Sequence, residues 1–346
     1  MRTDARTIDR RFSPASFLER HGVLVAFAAL VLWSGVLASD AATFRRPENI
    51  RNIFNQNAAT GVVAVGMTLV IVAGGIDLSV GSVMALASAI ALITSNALIG
   101  TVSGGGWSEG AAVFVGLAAG LATGAACGAI NGGLVTLGRI PAFIATLGGL
   151  VAYRSITLAL AEAGEIRSSS QGVLQSIGRG GIPVWPLAGD RWLVCQWSIV
   201  LFLLVAAIGQ VVLSRTRYGR QLVAVGGNET AARYSAIAVD RVRLVAFIIV
   251  GFCAALAGLM QTARMNSVSS SQLGLQMELD AIAAVVIGGT SMTGGKGRVW
   301  ATVVGVLILA IINNMLVVAG VSVHWQGFVK GVIIVLAVLI QRGRRP

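Results

Sequence analysis

Long apolar segments recur along this chain without the alternation of polar and apolar residues that marks a membrane β-strand. Each is close to the ~20 residues that a helix needs to cross a hydrocarbon core of about 30 Å. Backbone groups find no water in lipid, so helices are the predicted structure. A shorter apolar run at 279–289 predicts a tenth, partial span. The nine longer runs are 22–39, 56–74, 79–99, 111–137, 141–162, 192–213, 243–263, 299–319 and 323–341.

Composition supports this pattern: of 346 residues, 55% are apolar and 12% are charged, and the mean hydropathy is +0.82. An average soluble domain carries about 25% charged residues. The 44 glycines, many in small-xxx-small spacing, allow close helix packing. We therefore expect an all-α, polytopic membrane protein of about ten helices, some of them short or broken. It forms a single membrane domain over 21–341, with short tails at 1–20 and 342–346.

The net charge of +12 is unevenly distributed along the chain. With ten spans and the N-terminus inside, most Lys and Arg fall in segments on one side of the membrane, including 215–243 and both tails. This follows the positive-inside rule and predicts that both termini are cytoplasmic. A basic patch for nucleic acid is not needed to explain the charge.

A helix break interrupts the apolar pattern at "VIVAGGIDLSVGS". Gly74 and Gly75 can end one helix, and Asp77 or Ser79 can cap the next. Two interpretations of Asp77 remain open. It is an N-cap at the cytoplasmic edge, or it lies at membrane depth, where an ionisable group is functional by default.

Two connections outside the spans are long. The segment 214–242 contains the glycine pair 226–227, a good N-cap at Asn228 and an acidic residue at Glu229, which together predict a short helix. Because so short a helix is unstable alone, it must pack on its own chain or on a cytosolic partner. The outer connection, 163–191, is a plain connector or part of a docking surface for an extracytoplasmic partner.

Four blocks together make a specific resemblance. "GMTLVIVAGGIDLSVGSVMALAS", "YGRQLVAVGGNETAARYSAI", "ELDAIAAVVIGGTSMTGGKGR" and the "NN" of the following helix resemble, in order, the permease subunit of ribose-type ABC sugar importers. The resemblance covers about residues 50–341. It implies a ten-helix permease in a bacterial inner membrane, working as a dimer with identical or different chains. Its implied partners are a periplasmic sugar-binding protein and a cytoplasmic ATPase subunit.

The resemblance also implies a division of labour. ATP and Mg²⁺ are used by the partner ATPase, and this chain binds no cofactor and has no catalytic residue of its own. The loop matching Gly226–Val239 contains the family's coupling helix, which sits in a groove of the ATPase. One residue departs from the family pattern, since Ala236 stands where members commonly have glycine. The predicted ATPase-coupling residues are Gly226, Gly227, Asn228, Glu229, Ala231, Ala232 and Ala236.

Polar side chains inside the spans are candidates for the translocation pathway, because neutral amides and hydroxyls suit weak hydrogen bonds to a passing sugar. Helix–helix packing is the alternative use of the same side chains. Phe143 offers an apolar face to a sugar ring, or packs in the core. The polar groups concerned are Asn57, Asn131, Thr146, Gln261, Asn313 and Asn314.

Glu278 and Asp280 are two residues apart, so on a helix they point about 200° apart and form no carboxylate dyad. Either can lie in an N-terminal helical turn, pair with an arginine such as Arg264, or line the pathway. We keep both as pathway candidates, together with Asp77.

The stretch "GGTSMTGGKGR" superficially resembles a phosphate-binding loop. Thr290 occupies the position of the first glycine, and Gly297 follows the lysine where Ser or Thr would hold Mg²⁺. We therefore expect a glycine-rich cytoplasmic turn and no nucleotide site. The three cysteines have no metal-binding spacing, and no metal site is expected.

Two rival functions remain open from the sequence. One is an ABC permease for a nucleoside, a branched-chain amino acid or a furanose signal. A charged cargo would call for a compensating charge, for which Arg154 and Lys330 are the candidates. The other is a proton-coupled secondary transporter, for which Asp77 would be the proton-carrying acid.

Overall fold

The computed structural model describes residues 14–37, 41–102, 107–186 and 192–342. Within them the fold is almost entirely helical. The helices are α1 (Pro14–Leu32, continued by a π-helical turn, Trp33–Leu37), α2 (Ala41–Phe44), α3 (Pro47–Val72), α4 (Val80–Val102), α5 (Glu109–Thr136), α6 (Ala142–Leu160), α7 (Val173–Arg179), α8 (Trp197–Arg215), α9 (Arg217–Gly227), α10 (Glu229–Tyr234), α11 (Val239–Met265), α12 (Met277–Ile287), α13 (Val299–Val318) and α14 (Val323–Arg342). The strands are β1 (Glu165–Arg167), β2 (Gly181–Pro186), β3 (Trp192–Gln196) and β4 (Ser267–Ser269).

In the described part of the chain, seven helices are long and apolar enough to cross a membrane: α3, α4, α5, α6, α8, α11 and α13. The other three predicted spans are also helical. An apolar part of α1, Gly22–Val36, is shorter, α12 has 11 residues, and α14 covers the last apolar run. The prediction of an all-α polytopic membrane protein with short or broken helices is confirmed.

Several helices begin away from the start of their apolar run, and two of these differences have clear local reasons. Helix α3 begins at Pro47 instead of 56, because Pro47 takes the first helical turn and Glu48 follows it there. Helix α8 begins at Trp197 instead of 192, because residues Trp192–Gln196 form β3 and pair with β2 in an antiparallel hairpin. Hydropathy alone does not separate an apolar strand from the helix that follows it.

Helices α3 and α11 form the centre of the bundle, since 78% and 61% of the residues in their most apolar 18-residue stretches are buried. Glycines bring α5 against α11. A Cβ on Gly124 would lie 2.5 Å from the carbonyl oxygen of Gly251, so only glycine allows the two backbones this approach. The small-residue pattern in the sequence therefore corresponds to backbone contact at the core.

The two ends of the bundle differ. One end, called the strand end here, carries α7, the β2–β3 hairpin and the short antiparallel pairing of β1 with β4. The opposite end, the α10 end, carries α9, α10 and the loop between α12 and α13. The predicted outer connection is thus an ordered structure, except for residues 187–191, which lie outside the described residues.

Candidate coupling and translocation site

Helix α10 is a short helix with a hydrogen-bonded N-cap, at one end of the bundle. Asn228 takes the N-cap position, and its Oδ1 accepts a hydrogen bond from the backbone N–H of Ala231 at 2.9 Å. The helix then runs from Glu229 to Tyr234. The predicted cap and short helix are confirmed. The predicted break at Gly226–Gly227 is wrong in place, because both glycines belong to α9 and only Asn228 separates α9 from α10.

The two faces of α10 have different surroundings. Ala232 is 3% exposed and packs into the core of its own chain. On the other side Ala231 is exposed, and Tyr234 is 89% exposed. The two interpretations of this helix therefore apply to different faces: the chain itself covers the face with Ala232, and a surface around Tyr234 is open. Sequence reasoning missed Tyr234, although an aromatic residue on a short capped helix was a signal for it.

Ion pairs hold α10 to the first turns of α11. The Oε2 of Glu229 lies 2.7 Å from Arg243, and Arg233 contacts Glu229 at 3.1 Å and Asp240 at 2.9 Å. The hydrogen bond from Arg243 is the main reason that the pKa of Glu229 lies below its usual value. Arg243 is half-buried and also donates a long hydrogen bond, 3.5 Å, to the carbonyl oxygen of Ala73 at the end of α3. Sequence analysis did not single out Arg243.

Ala236 ends α10 in a left-handed conformation, with φ of 58°. The N–H of Ile237 bonds to the carbonyl of Ala232, and the N–H of Ala236 bonds to that of Arg233. This is a Schellman cap, whose left-handed position favours glycine because a Cβ is strained there. The departure from the family pattern thus falls at a position where glycine is physically preferred.

Three glycine pairs meet beside α10, in what is called the glycine junction here: 74–75 after α3, 226–227 at the end of α9, and 294–295 in the loop after α12. The N–H of Gly295 donates to the carbonyl oxygen of Val72 at 2.9 Å. A Cβ on Gly226 would overlap that same carbonyl oxygen and lie 2.6 Å from the nitrogen of Gly295. A Cβ on Gly294 would lie 3.1 Å from the Cα of Gly74. The glycine-rich loop after α12 therefore links the end of α9 to the end of α3.

A cavity of about 850 Å³ lies beside this junction. The end of α3 and the 137–142 connection form part of its wall, and α10 and the start of α11 form the opposite part. Charged side chains face it: Arg139, Glu229, Arg233, Asp240 and Arg243.

Asp77 is 1% exposed and accepts two hydrogen bonds from Ser79, one from the backbone N–H at 2.8 Å and one from Oγ at 2.7 Å. Asn131 donates to Ser79 Oγ at 2.7 Å, and Tyr153 donates to Asn131 Oδ1 at 3.0 Å. This polar relay joins the start of α4 to α5 and α6. The carbonyl of Ser79 accepts from Val83, so Ser79 caps α4 and Asp77 holds the cap.

The break between α3 and α4 packs beside positions inside α5 and α6, and not only beside the ends of these helices. Asn131 lies five residues before the end of α5, roughly 7 Å along its axis. Thr146, in the second turn of α6, is buried and donates to the carbonyl of Ile76 at 3.4 Å as well as to its own helix. The predicted candidates Asp77 and Thr146 therefore do come together, with the break packed inside the bundle.

Glu278 and Asp280 both fall in the first turn of α12, as one interpretation had it. The arginine whose charge acts on Glu278 is Arg154, and not the suggested Arg264. Arg154 donates to the carbonyl oxygens of Ser270 and Leu273, each at 2.9 Å, and more weakly to Gly81. Its donors are directed at the backbone before α12.

The remaining pathway candidates are scattered. Asn57 donates to the carbonyl of Ile53 in its own helix, and Phe143 is 56% exposed on α6. Asn314 exchanges two hydrogen bonds with Asn49, at 2.8 and 3.0 Å, which holds α13 to α3 near the strand end. The Oδ1 of Asn313 is buried without a hydrogen-bond partner among the described residues. The structure does not gather these candidates into one chamber.

The described residues contain no group of three His, Cys, Asp or Glu that could hold a metal ion. The loop at 288–298 is a turn with left-handed glycines at 289, 294 and 295.

Comparisons with known proteins give a consistent picture. Residues 49–338 match the family model described as branched-chain amino acid transport system / permease component. The chain is 38% identical over 341 residues to the ribose import permease protein RbsC of Bacillus subtilis, which covers 97% of both chains. It is 34% identical to the D-allose transport system permease protein AlsC of Escherichia coli, covering 96% of this chain and 94% of AlsC.

The xylose transport system permease protein XylH of Escherichia coli is 33% identical, over 91% of this chain and 90% of XylH. No solved structure matches the chain.

Proposed function

This chain belongs to the family of branched-chain amino acid transport system permease components, and we propose that it moves a monosaccharide across a bacterial inner membrane. The chain is a multi-pass membrane protein and a transport component of an ABC importer. The observation that carries the cargo proposal is its likeness, over nearly the full length, to permeases named for ribose, allose and xylose. A pentose or hexose is therefore the proposed solute.

Permeases of this kind work with an ATPase and a binding protein. In our proposal, the α10 end faces the cytoplasm and the ATPase, and the strand end faces a periplasmic sugar-binding protein. A second permease copy completes the pathway. ATP and Mg²⁺ act on the ATPase, whose two states bias the permease between its open sides by their different contacts with α10. This chain carries out no covalent step.

Arg154 bears on the alternative of a charged cargo. A carboxylate solute would call for a compensating charge inside the bundle. Arg154 was one candidate for that role, but its donors bond to the backbone carbonyls of Ser270 and Leu273. The side chain of the other candidate, Lys330, lies outside the described residues. A neutral solute fits this arrangement better than a branched-chain amino acid.

The defining experiment reconstitutes the chain in lipid nanodiscs with its ATPase and binding protein. ATP hydrolysis is then measured with ribose, allose, xylose or leucine on the binding protein. Stimulation that needs this chain and one sugar is the expected result, and stimulation by leucine alone would contradict the cargo proposal. Transport driven by a proton gradient without the ATPase would favour a secondary transporter.

The exposed face of α10 gives a local test of ATPase contact. We expect Tyr234→Ala to weaken ATPase binding by more than about 1 kcal/mol, because exposed aromatics that become buried dominate interface energies. Tyr234→Phe keeps the ring and serves as the matched control. Equal ATPase affinity for the alanine variant and the unaltered chain would place the contact elsewhere. Ala232 is unsuitable for this test, since its side chain is buried in its own chain.

A further inference from the structure

Arg243 connects two elements that the sequence keeps far apart. Its guanidinium lies 2.7 Å from Glu229 Oε2 on α10, and its Nε lies 3.5 Å from the carbonyl oxygen of Ala73, just after α3. We propose that Arg243 is a positioning residue that carries movement of α10 to the helix break at 73–79. This inference rests on the proposed function, because it assigns a coupling role within an ATP-driven permease.

The cavity beside the glycine junction makes this contact mechanically important. Gly74 and Gly75 line it on the α3 side, and Glu229 and Arg233 line it on the α10 side. Close-packed side chains transmit displacement, whereas an open volume of about 850 Å³ does not. Movement can cross between α10 and the break along the edge of the cavity, where the glycine junction and Arg243 both lie.

The chemistry of arginine suits a two-ended bridge. A guanidinium presents several donors in a fixed fork, so one donor can hold a carboxylate while another reaches a carbonyl. Arg243 is more buried than the carboxylate it holds, with 23% of its side chain exposed against 40% for Glu229. The pair is therefore less screened than one between two fully exposed side chains.

The break itself is built to respond. Ala73 begins the turn in which Gly74 takes a left-handed φ of 82° and Gly75 donates back to the carbonyl of Val70. Four residues after Ala73, Asp77 holds the polar relay to Asn131 on α5. A shift of the Ala73 carbonyl thus reaches the start of α4 and its contacts through a turn of only a few residues.

The test uses the full complex in liposomes, with the binding protein carrying whichever of ribose, allose or xylose stimulates the unaltered complex most. The ratio of ATP hydrolysed to sugar imported is measured. We expect Arg243→Gln to raise this ratio about tenfold, since it removes a charge-assisted contact, while the ATPase still binds. Arg241→Gln is the matched control: Arg241 is exposed on the same helix two residues away, and its loss should leave the ratio unchanged.

A charge exchange separates a bridge from a simple ion pair. The double variant Glu229→Arg with Arg243→Glu restores opposite charges, but a carboxylate at position 243 cannot donate to the Ala73 carbonyl. We expect the high ratio to persist in the double variant. Recovery of normal coupling would overturn the proposal, because it would mean that Arg243 only anchors α10.

A conservative variant at position 243 guards against misfolding. Arg243→Lys keeps the positive charge, but a single ammonium does not span both partners as the guanidinium fork does, so an intermediate ratio is expected. A normal ratio in both Arg243→Gln and Arg243→Lys would overturn the bridge while leaving the importer function intact. Failure of the unaltered complex to respond to any sugar would instead count against the proposed function.

Discussion

At the scale of single residues, Asp77 and Ala236 show how local backbone needs decide side-chain roles. The carboxylate of Asp77 does not cap α4 directly, because it accepts from Ser79, which is itself the cap. Ala236 takes a left-handed conformation that favours glycine. The sequence marks both positions, but the backbone around them decides what each side chain does.

The strain at Ala236 predicts a stabilising substitution. Ala236→Gly should raise the free energy of unfolding by about 1 kcal/mol, because glycine takes a positive φ without a Cβ clash. Thermal unfolding of the purified chain in detergent would measure it. Ala238→Gly is the control, since its φ of −74° offers glycine no such gain. A lower melting temperature for Ala236→Gly would contradict the strain argument.

The hydrogen bonds of Asp77 predict different outcomes for two replacements. Asp77→Asn keeps an oxygen that can accept both bonds from Ser79, so most sugar uptake should remain. Asp77→Leu leaves the N–H and hydroxyl of Ser79 without that acceptor, at a cost of about 1–3 kcal/mol. Uptake and thermal stability together distinguish the two. Complete loss of uptake in a stable Asp77→Asn variant would instead indicate that the acid itself works in transport.

At the scale of elements, helix ends and loops rich in glycine make backbone contacts with one another beside α10. The ends of α3 and α9 and the loop after α12 meet through backbone atoms, with Gly295 bonded to Val72. Helix α10 has one face covered by its own chain and one face open. The connection from α10 to the interior therefore passes through turns, where small backbone rotations are possible.

Two neighbouring glycines of α9 give a sharp test of this junction. Gly226→Ala should destabilise the chain by about 1–3 kcal/mol, the cost typical of overpacking, because its Cβ would overlap the Val72 carbonyl. Gly227→Ala is the control, since the nearest atom to its Cβ is 3.9 Å away. Unfolding measurements on both variants check the difference. Similar stability for the two would show that the turns adjust freely.

At the scale of the whole molecule, Arg154 ties distant segments together. From α6 it reaches the carbonyls of Ser270 and Leu273 ahead of α12, and its charge acts on Glu278. Close by, the start of α4 approaches α12 so tightly that a Cβ on Gly81 would lie 2.8 Å from Glu278 Oε2. The short helix α12 is thus held in place from two sides.

Removing this arginine should have a large cost. Arg154→Gln should lower the free energy of unfolding by about 2–4 kcal/mol. The carbonyls of Ser270 and Leu273 lose their hydrogen-bond donor, and Glu278 loses its nearby cation. Arg167→Gln is the control, because Arg167 is 82% exposed and pairs only locally with Glu165. Chemical denaturation of both variants would measure the costs. Equal stabilities would argue against a structural role for Arg154.

The sequence by itself determined the helical membrane class, the positions of nearly all spans, the break between α3 and α4 and the capped helix after Asn228. It placed the end of α3 at the glycine pair 74–75, whereas α3 ends at Val72. These features follow from hydropathy, glycine placement and capping, which act over a few neighbouring residues. The family resemblance, resting on four short blocks, is confirmed over nearly the full length.

Only the tertiary structure decided which distant groups meet. It placed Arg243 between Glu229 and Ala73, joined Asp77 through Ser79 to Asn131, and turned Arg154 toward the segment before α12. These contacts join residues from 14 to 170 positions apart, so no local pattern encodes them. Helix packing fixes which ends and faces come within hydrogen-bonding distance, and that geometry depends on the whole bundle at once.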